Sequence, residues 1–346
     1  MKKTNINDVA QYAGVSKSTI SNFLNRKLES MSVETRAKIE EAIEKLNYTP
    51  SLSARRLSAK ENCKAICIII PHNIGYAFDN LYLPIVLRAI GRVAERLDHK
   101  IIIFASHKGG VEKSIDYLKG MVPTVVDGFV IFDLEQNNLY FKEFEKANIP
   151  YVCVGKIEGY ESYQYVASNH KKAAMDAMNY LIQLGHTKIG FLMDYDTSIV
   201  SKCKFEGYRE VLENNHIALN EGYYCYSEYG HKGNSDIYNK FREMMQNKER
   251  PTAIITPSTY LTAVNAILNE EGLKIPEDIS IIVLEYNDNH QLDHQNFTRV
   301  PSAASKVAET AFKKLLKLIY NKKEPFKSEL LDLELIIGET TARLEP

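Results

Sequence analysis

Residues 5–25, NINDVAQYAGVSKSTISNFLN, are the most informative part of this chain. Asn5 is a good helix N-cap, and Asp8 lies near the positive end of the helix that it would start. Gly14 would end this helix, because glycine readily adopts the left-handed conformation of a sharp stop. Ser16 can cap a second helix. Two short helices joined by a tight turn are typical of a helix-turn-helix.

The second helix presents a polar surface. Its apolar residues Val15, Ile20 and Leu24 should pack back onto the first helix. The outward residues offer donors, acceptors and one positive charge, which suit base edges and phosphates in a major groove. An ordinary helical hairpin with a polar solvent face is the plain alternative. The residues of the two helices that we expect to contact DNA are Asn5, Ser16, Lys17, Ser18, Thr19, Ser21, Asn22 and Asn25.

A third amphipathic helix is predicted over residues 32–48, and the segment PSLSARRL follows at 50–57. The strings DVAQYAGVSKSTISNFLN, SVETR and NYTPSLSARRL resemble the DNA-binding headpiece of the lactose-repressor (LacI) family. The resemblance implies a headpiece over 1–48 and a hinge helix with linker over 49–61. It also implies that Ala54, Arg55 and Leu57 contact DNA, with Leu57 wedged into the minor groove.

Charge is distributed unevenly along the 346 residues, whose formal net charge is −1. Residues 1–60 hold eleven basic and six acidic residues, so this segment carries +5 and the remainder carries −6. A basic head on an acidic body is typical of a protein that contacts DNA with one end only.

The cysteines predict buried free thiols in a reducing compartment, since they are odd in number and form no CxxC. They are Cys63, Cys67, Cys153, Cys203 and Cys225. No apolar segment of about 20 residues and no signal peptide occur, so we expect a cytoplasmic protein.

His290 and His294 have a spacing that suits a metal on a helix. They are better explained as polar residues of a connecting segment, so we expect no metal and no cofactor.

From residue 65 onward, apolar runs rich in Val and Ile alternate with amphipathic patterns, which predicts an α/β body with parallel strands. Strands are predicted at 65–71, 100–106, 128–132, 151–154, 188–194, 223–226, 253–256 and 279–284. Helices are predicted at 82–97, 111–119, 139–147, 171–184, 204–214, 236–246 and 260–271.

The body at 62–346 is large enough for two cores. The family resemblance implies two doubly wound parallel-sheet subdomains, like periplasmic binding proteins, with the chain crossing near 160–168, 288–295 and 322–327. The first subdomain is expected at about 62–162 plus 294–323, and the second at about 163–293 plus 324–346. A homodimer is implied, with 82–93 and 260–268 as candidate faces.

The cleft between two such sheets is the expected effector site, because ligands bind at the carboxyl ends of parallel strands. The resemblance implies that a sugar or sugar derivative binds there. Projected onto this sequence, the family's cleft positions are Asn80, Tyr82, Asp133, Lys156, Lys204, Ser258, Glu285 and Tyr286.

Several of these positions depart from the family pattern. The usual arginine is Lys204, and the positions of two usual acids fall at Gly155 and Tyr286, which cannot accept hydrogen bonds as a carboxylate does. We therefore predict an effector unlike a plain neutral hexose. An amino sugar facing Glu285 and Asp133 is one hypothesis, and contacts supplied by nearby loops are the alternative.

The sequence thus predicts a transcriptional regulator, by resemblance a repressor, that binds double-stranded operator DNA under the control of a small-molecule effector. An activator with the same architecture and a cytosolic small-solute binding protein are the alternatives. No G-x-S-x-G elbow or phosphate-binding glycine motif occurs, so we expect no enzyme.

Overall fold

The computed structural model describes residues 4–24, 27–28, 31–48, 62–70, 82–105, 111–132, 139–156, 163–193, 199–227, 233–286, 296–321 and 326–345. Some predicted features lie outside these ranges. They are the hinge at 49–61 with Ala54, Arg55 and Leu57, the site residues Asn25, Asn80 and Asp133, and the pair His290 and His294.

Helices α1 (Ile6–Ala13), α2 (Lys17–Leu24) and α3 (Val33–Lys45) form the headpiece. Ser32, which was predicted to lie in the third helix, is its N-cap and accepts the N–H of Thr35 at 3.2 Å. The three helices share one apolar core. Its buried members are Val9, Ala10, Ala13, Ile20, Ile39 and Ala42.

The strands of the body are β1 (Ala65–Ile70), β2 (Lys100–Ala105), β3 (Gly128–Phe132), β4 (Tyr151–Val154), β5 (Tyr165–Ser168), β6 (Ile189–Met193), β7 (Tyr224–Tyr226), β8 (Ala253–Pro257), β9 (Ser280–Tyr286), β10 (Thr298–Pro301) and β11 (Glu329–Leu331). The helices are α4 (Tyr82–Arg96), α5 (Val111–Met121), α6 (Leu139–Lys146), α7 (His170–Gln183), α8 (Ile199–Asn214), α9 (Gly233–Gln246), α10 (Leu261–Glu270) and α11 (Ala304–Tyr320), with 3-10 turns at Glu221–Tyr223 and Ser258–Tyr260.

These strands form two parallel sheets. The first has the spatial order β11-β5-β4-β3-β1-β2, and the second has the order β10-β9-β8-β6-β7. Central strands such as β1 and β3 are buried along their whole length, because helices cover both faces of each sheet. The carboxyl ends of each set of parallel strands therefore meet at one edge, where a ligand has access to loops rather than to packed side chains.

Each sheet lies between two helical layers. In the first sheet, α4 and α11 pack on one face, and α5 and α6 pack on the other. In the second sheet, α7 and α8 pack on one face, and α9 and α10 pack on the other. All eight predicted strands and all seven predicted helices occur. The described residues also contain strands β5, β10 and β11 and helix α11, which the sequence patterns did not predict.

Strands β5, β10 and β11 each lie in the other sheet from the one that the expected subdomain boundaries give them. Strand β5 follows the expected boundary at 162 but lies in the first sheet, next to β4. Strand β10 lies within 294–323 but extends the second sheet beside β9. Strand β11 lies within 324–346 but pairs with β5 in the first sheet. The chain therefore changes sheet directly after each of these three short strands.

No disulfide joins the cysteines that the structure describes, and all except the half-buried Cys203 are buried. Burial raises the pKa of the Cys67 and Cys225 thiols to about 12. Within the described ranges, no helix is long and apolar enough to cross a membrane. The same ranges contain no group of three or more His, Cys, Asp or Glu side chains that would hold a metal ion.

Candidate functional site

Helix α1, which precedes the turn into α2, is capped at both of its ends. Gly14 has φ +64°, and its N–H donates to the carbonyls at the end of α1. At the start of α1, the Asn5 side chain accepts the N–H of Asn7 at 2.8 Å, and the Asp8 carboxylate accepts the N–H of Asn5 at 2.8 Å. This reciprocal capping fixes the start of α1. The predicted cap role of Asn5 is confirmed.

The N-terminus of α2 carries a cluster of hydroxyl groups. Ser16 accepts the N–H of Thr19 at 3.1 Å, as a cap does, and its hydroxyl lies 2.6 Å from the Ser18 hydroxyl. Ser16, Lys17 and Ser18 are exposed, and Thr19 is half-buried. One turn further along the same helix, Asn22 is exposed. A row of exposed polar groups on a helix held by a packed neighbour suits insertion into a major groove.

Arg36 was not among the predicted site residues, although it belongs to the string SVETR. Its guanidinium donates to the carbonyl of Leu28 at 2.7 Å and to that of Met31 at 3.2 Å. It therefore fastens the connection between α2 and α3 to the third helix. Its role in this structure is to hold the headpiece together.

A charged cluster lies at the carboxyl end of β9 in the second sheet. The Glu285 carboxylate forms an ion pair with the ammonium of Lys204 on α8, and its other oxygen lies 3.6 Å from Nδ1 of His170 at the start of α7. Ser258, in the turn after β8, donates its hydroxyl to the backbone carbonyl of Glu285 at 3.1 Å. Lys204 and His170 thus converge on the Glu285 carboxylate, and Ser258 holds the backbone of the same residue. Three predicted residues, Lys204, Ser258 and Glu285, are brought together.

Burial and charge decide the ionisation of this cluster. The Lys204 side chain is 5% exposed, whereas that of Glu285 is 31% exposed and remains accessible to a ligand. Burial alone would raise the pKa of Glu285, but the Lys204 ammonium and the neighbouring His170 hold it below its usual range. Burial lowers the pKa of His170 to about 4, so its imidazole is neutral at physiological pH. The cluster offers one ammonium, one carboxylate and one neutral ring.

The backbone at Glu285 is also unusual. Its φ of +54° lies in the left-handed region, which is uncommon for a residue other than glycine. With this backbone conformation, the Glu285 carboxylate faces Lys204. The motif comparison expected an acid at position 286, and the structure has one at position 285 instead. The Tyr286 ring instead packs 6.4 Å from the Phe297 ring, and the Arg299 guanidinium lies 5.3 Å above it.

Two further predicted residues lie at the carboxyl ends of strands in the first sheet. Tyr82 begins α4, is 41% exposed, and its ring meets that of Phe132 edge-on at 6.4 Å. Lys156 is exposed directly after β4 and follows Gly155, whose φ is +110°. Both positions match the expected edge of the sheet, on a different sheet from the charged cluster.

Two residues beside the charged cluster escaped the sequence analysis. His170 was missed because strand β5, which ends two residues earlier, was not predicted. The strand would have marked His170 as lying at a carboxyl end. Ser201 lies one turn before Lys204 on α8 and is 3% exposed, and its hydroxyl makes no hydrogen bond to any residue that the structure describes. A buried hydroxyl without a partner is unusual and indicates a place where a ligand or water supplies one.

Comparison with known proteins agrees with both parts of this architecture. The profile of bacterial regulatory proteins of the lacI family matches residues 5–51. The profile of the periplasmic binding protein-like domain matches residues 178–341. The chain thus joins a DNA-binding domain of the lacI family to a periplasmic binding protein-like domain. The matched ranges cover helices α1 to α3 of the headpiece and all five strands of the second sheet of the body.

Similar LacI-family proteins align over nearly the full length. The chain is 28% identical over 348 residues to the probable HTH-type transcriptional regulator EndR of Paenibacillus polymyxa, covering 99% of both chains. It is 26% identical over 331 residues to catabolite control protein A of Priestia megaterium, covering 95% of this chain and 96% of that one. The lacI-family match at the headpiece, together with these relatives, shows that the chain is a DNA-binding transcriptional regulator.

The fold agrees with solved structures of the LacI family. A lac repressor dimer bound to operator and the anti-inducer ONPF has a TM-score of 0.72 and 20% identity, covering 99% of this chain and 100% of that one. The predicted fold class is thus confirmed, with a helix-turn-helix headpiece and a periplasmic-binding-protein-like body of two parallel sheets.

Proposed function

We propose that this regulator binds operator DNA through α2 and that a small molecule at the carboxyl ends of the body strands controls its operator affinity. The observation that carries the proposal is the partly exposed Glu285 carboxylate, held between the buried Lys204 and the neutral His170. A surface carboxylate would need no such support. Partners on α7 and α8 restrain the Glu285 carboxylate, and the Ser258 hydroxyl holds its backbone, which suits a group that must meet a ligand in one geometry.

The DNA-binding half of the proposal rests on the exposed face of α2. Ser16, Lys17, Ser18 and Asn22 form an uninterrupted polar surface over the packed side of the helix. Their donors and acceptors match base edges and phosphates. Operator half-sites arranged as a near-palindrome would meet two headpieces of a homodimer, because one recognition helix reads only a few base pairs.

The effector that suits the cluster carries hydroxyl groups. A hydroxyl can donate to the Glu285 carboxylate and accept from the Lys204 ammonium without leaving either charge unpaired. An amine would have to compete with Lys204 for the same carboxylate, which weakens the amino-sugar hypothesis. One structural neighbour, at 20% identity, is a transcriptional regulator CelR–cellobiose complex. A sugar or sugar derivative is therefore the proposed class.

Repression is the proposed direction of regulation. Relatives along the full length include proteins described as HTH-type transcriptional repressors, such as PurR of Vibrio vulnificus at 25% identity over 345 residues. The plain alternative is an activator with the same architecture. Because operator DNA is the partner, we propose that the protein works in the cytoplasm and carries out no catalysis.

A ligand screen with matched variants tests the effector site. Purified protein is heated with cellobiose, glucose, glucosamine, glucose 6-phosphate or adenosine, because a ligand at 100 times its dissociation constant adds about 2.7 kcal/mol of stability. Lys204→Gln should abolish the shift that the best ligand causes. Lys202→Gln, at an exposed position on the same helix, should preserve it. A ligand that shifts both variants equally binds elsewhere.

A gel-shift experiment tests the regulatory half. Full-length protein and a version lacking residues 1–60 are incubated with duplexes from a random pool, and bound duplexes are recovered. We expect only the full-length protein to enrich one sequence, and the best ligand of the screen to change its affinity. Enrichment without any ligand response would leave the DNA-binding role intact and remove the effector role.

A further inference from the structure

The short segment that leads from residues 49–61 into the body is held by one buried carboxylate. Asp127, which is 6% exposed, accepts the N–H of Cys63 at 2.7 Å and the N–H of Ala65 at 3.4 Å. Between these two donors, Lys64 has φ +50°, in the left-handed region. Two backbone N–H groups flanking a left-handed residue form a concave site for an anion. The Asp127 carboxylate occupies it.

Other contacts fix the same turn from each side. The N–H of Asp127 donates to the carbonyl of Ala65 at 2.8 Å, and the N–H of Lys100 donates to the carbonyl of Lys64 at 2.7 Å. The thiol of Cys63 donates to the carbonyl of Pro123 at 2.9 Å. A left-handed lysine is disfavoured by itself and persists only where its surroundings determine the conformation. Here the surroundings are built around Asp127.

The turn lies where the chain enters the first sheet. The pairing of β1 begins at Ala65 opposite Lys100 of β2 and at Ile66 opposite Gly128 of β3, so Cys63 and Lys64 precede the paired residues. The turn also places the fully buried Cys63 in the core beneath the sheet. Beyond this core contact, the turn sets the direction in which the chain enters β1.

We propose that Asp127 is a positioning residue for operator binding. It fixes the backbone at residues 62–65, where the chain that carries the headpiece joins the first sheet, and so sets how the body presents the headpiece to DNA. The inference rests on the proposed function, in which two headpieces must reach two half-sites at once. If the turn at Lys64 were not fixed, each headpiece would sample many orientations. The entropy lost in ordering the headpieces on the operator would then lower the affinity for operator DNA.

The first test uses Asp127→Asn, which keeps the size of the side chain but removes the charge and one acceptor. Ile131→Val is its control, because Ile131 is a fully buried residue of β3 that pairs with Ile69, four residues beyond Ala65 along β1. Affinity is measured by fluorescence anisotropy for a duplex that the wild-type protein selects from a random pool, and for an unrelated duplex. Thermal melting is measured in parallel.

Asp127→Asn should weaken binding to the selected duplex by about tenfold or more, a factor that corresponds to 1.4 kcal/mol. Its binding to the unrelated duplex should stay unchanged, because that binding depends on headpiece charges. Ile131→Val should lower the melting temperature but leave both affinities unchanged. Equal affinity of Asp127→Asn and the wild type for the selected duplex would overturn the inference.

A second pair of variants changes the turn without touching the carboxylate. Lys64→Gly and Lys64→Val both remove the exposed ion pair between Lys64 and Asp98. They differ in the left-handed conformation, which glycine adopts freely and valine resists. We expect Lys64→Gly to bind the selected duplex like the wild type and Lys64→Val to bind it about tenfold more weakly.

Equal binding by the two Lys64 variants would show that the turn does not position the headpiece. If the wild-type protein selects no duplex at all, the proposed function fails instead. The two failures are therefore distinguishable.

Discussion

Replacing Lys204 by methionine should destabilise the body strongly, because it leaves the Glu285 carboxylate without its counter-charge. Removing one partner of a buried ion pair typically costs about 3–5 kcal/mol. The Glu285 side chain is 31% exposed, so water replaces part of the lost interaction. We therefore expect Lys204→Met to lower the free energy of unfolding by about 2–3 kcal/mol, slightly below that typical range.

A double-mutant cycle separates the ion pair from the packing of the lysine stem. Lys204→Met combined with Glu285→Gln removes both charges, so the double variant should recover about 1–2 kcal/mol relative to the sum of the single variants. Unfolding by urea is followed by far-UV circular dichroism, since the chain contains no tryptophan. Lys202→Met, at an exposed position of α8, is the control and should cost less than about 0.5 kcal/mol.

The same variant has a spectroscopic consequence at His170. The Lys204 ammonium contributes to lowering the pKa of His170, whereas the Glu285 carboxylate raises it. Without the ammonium, the His170 pKa should rise, which NMR titration of the imidazole would detect. A cost of Lys204→Met equal to that of Lys202→Met, with an unchanged His170 titration, would refute the ion-pair argument.

Three further predictions concern pH and DNA. The pKa of His170 is about 4 in the folded protein instead of 6.5, so only the unfolded chain binds this proton between those values. Stability should therefore fall by up to about 3 kcal/mol as the pH drops from 6.5 to 4. In urea titrations, His170→Asn should flatten this slope, and an unchanged slope would contradict the assignment. Asn22→Arg should change the preferred base at one half-site position by about 1–3 kcal/mol, and identical sequences selected from a random pool by both proteins would refute it. Leu57 lies outside the described residues; Leu57→Gly should abolish specific binding but keep weak, salt-sensitive binding, and an unchanged DNA bend angle would exclude a wedge.

His170 and Glu285 affect the stability of the protein over different ranges of pH. Glu285 has a lowered pKa, so its stabilising contribution is present above its ordinary value of 4.5 and is lost as the pH falls below that value. Between pH 6.5 and 4.5, Glu285 contributes little to the slope. Burial also lowers the pKa of His186, so the difference between the wild type and His170→Asn, rather than the wild-type slope alone, reports His170.

The headpiece was predictable in detail because each local signal pointed the same way. Asn5 and Ser16 are good caps, Gly14 suits a left-handed stop, and apolar residues recur at helical spacing. The structure confirms each of these features. Local capping chemistry acts within three or four residues, so a sequence displays it directly.

The body was predictable where strands were long and buried. A run such as AICIII in β1 has few alternatives, whereas the four residues TRVP of β10 contain a proline and a charged arginine. Short edge strands gain their pairing from neighbours that are distant in sequence. Helix α11 is a different case. Its buried residues recur at helical spacing from Val307 to Ile319, so the sequence contains the pattern of an amphipathic helix that the prediction missed.

The candidate site was harder to predict than the fold. Glu285 faces Lys204 from a backbone in the left-handed conformation. A sequence predicts this conformation only at residue types that favour it, such as glycine or asparagine, and not at a glutamate. Motif comparison expected the acid at Tyr286, one residue away. His170 required a correctly assigned β5. Errors of one residue or one strand matter little for a fold, but they change which side chain enters a site.

The interleaving of the two sheets determines when this protein can fold during its synthesis. Strand β1 ends at Ile70, but the first sheet is complete only when β11 emerges at Leu331, after the whole second sheet. At about 5–20 residues per second, a ribosome needs roughly 13–50 s to make that stretch. During this interval, the face of the first sheet that α11 covers exposes apolar residues to chaperones. A message that ends before α11 would yield a chain with its own headpiece but no complete body. Such a chain should be degraded rather than compete with the intact regulator for operators.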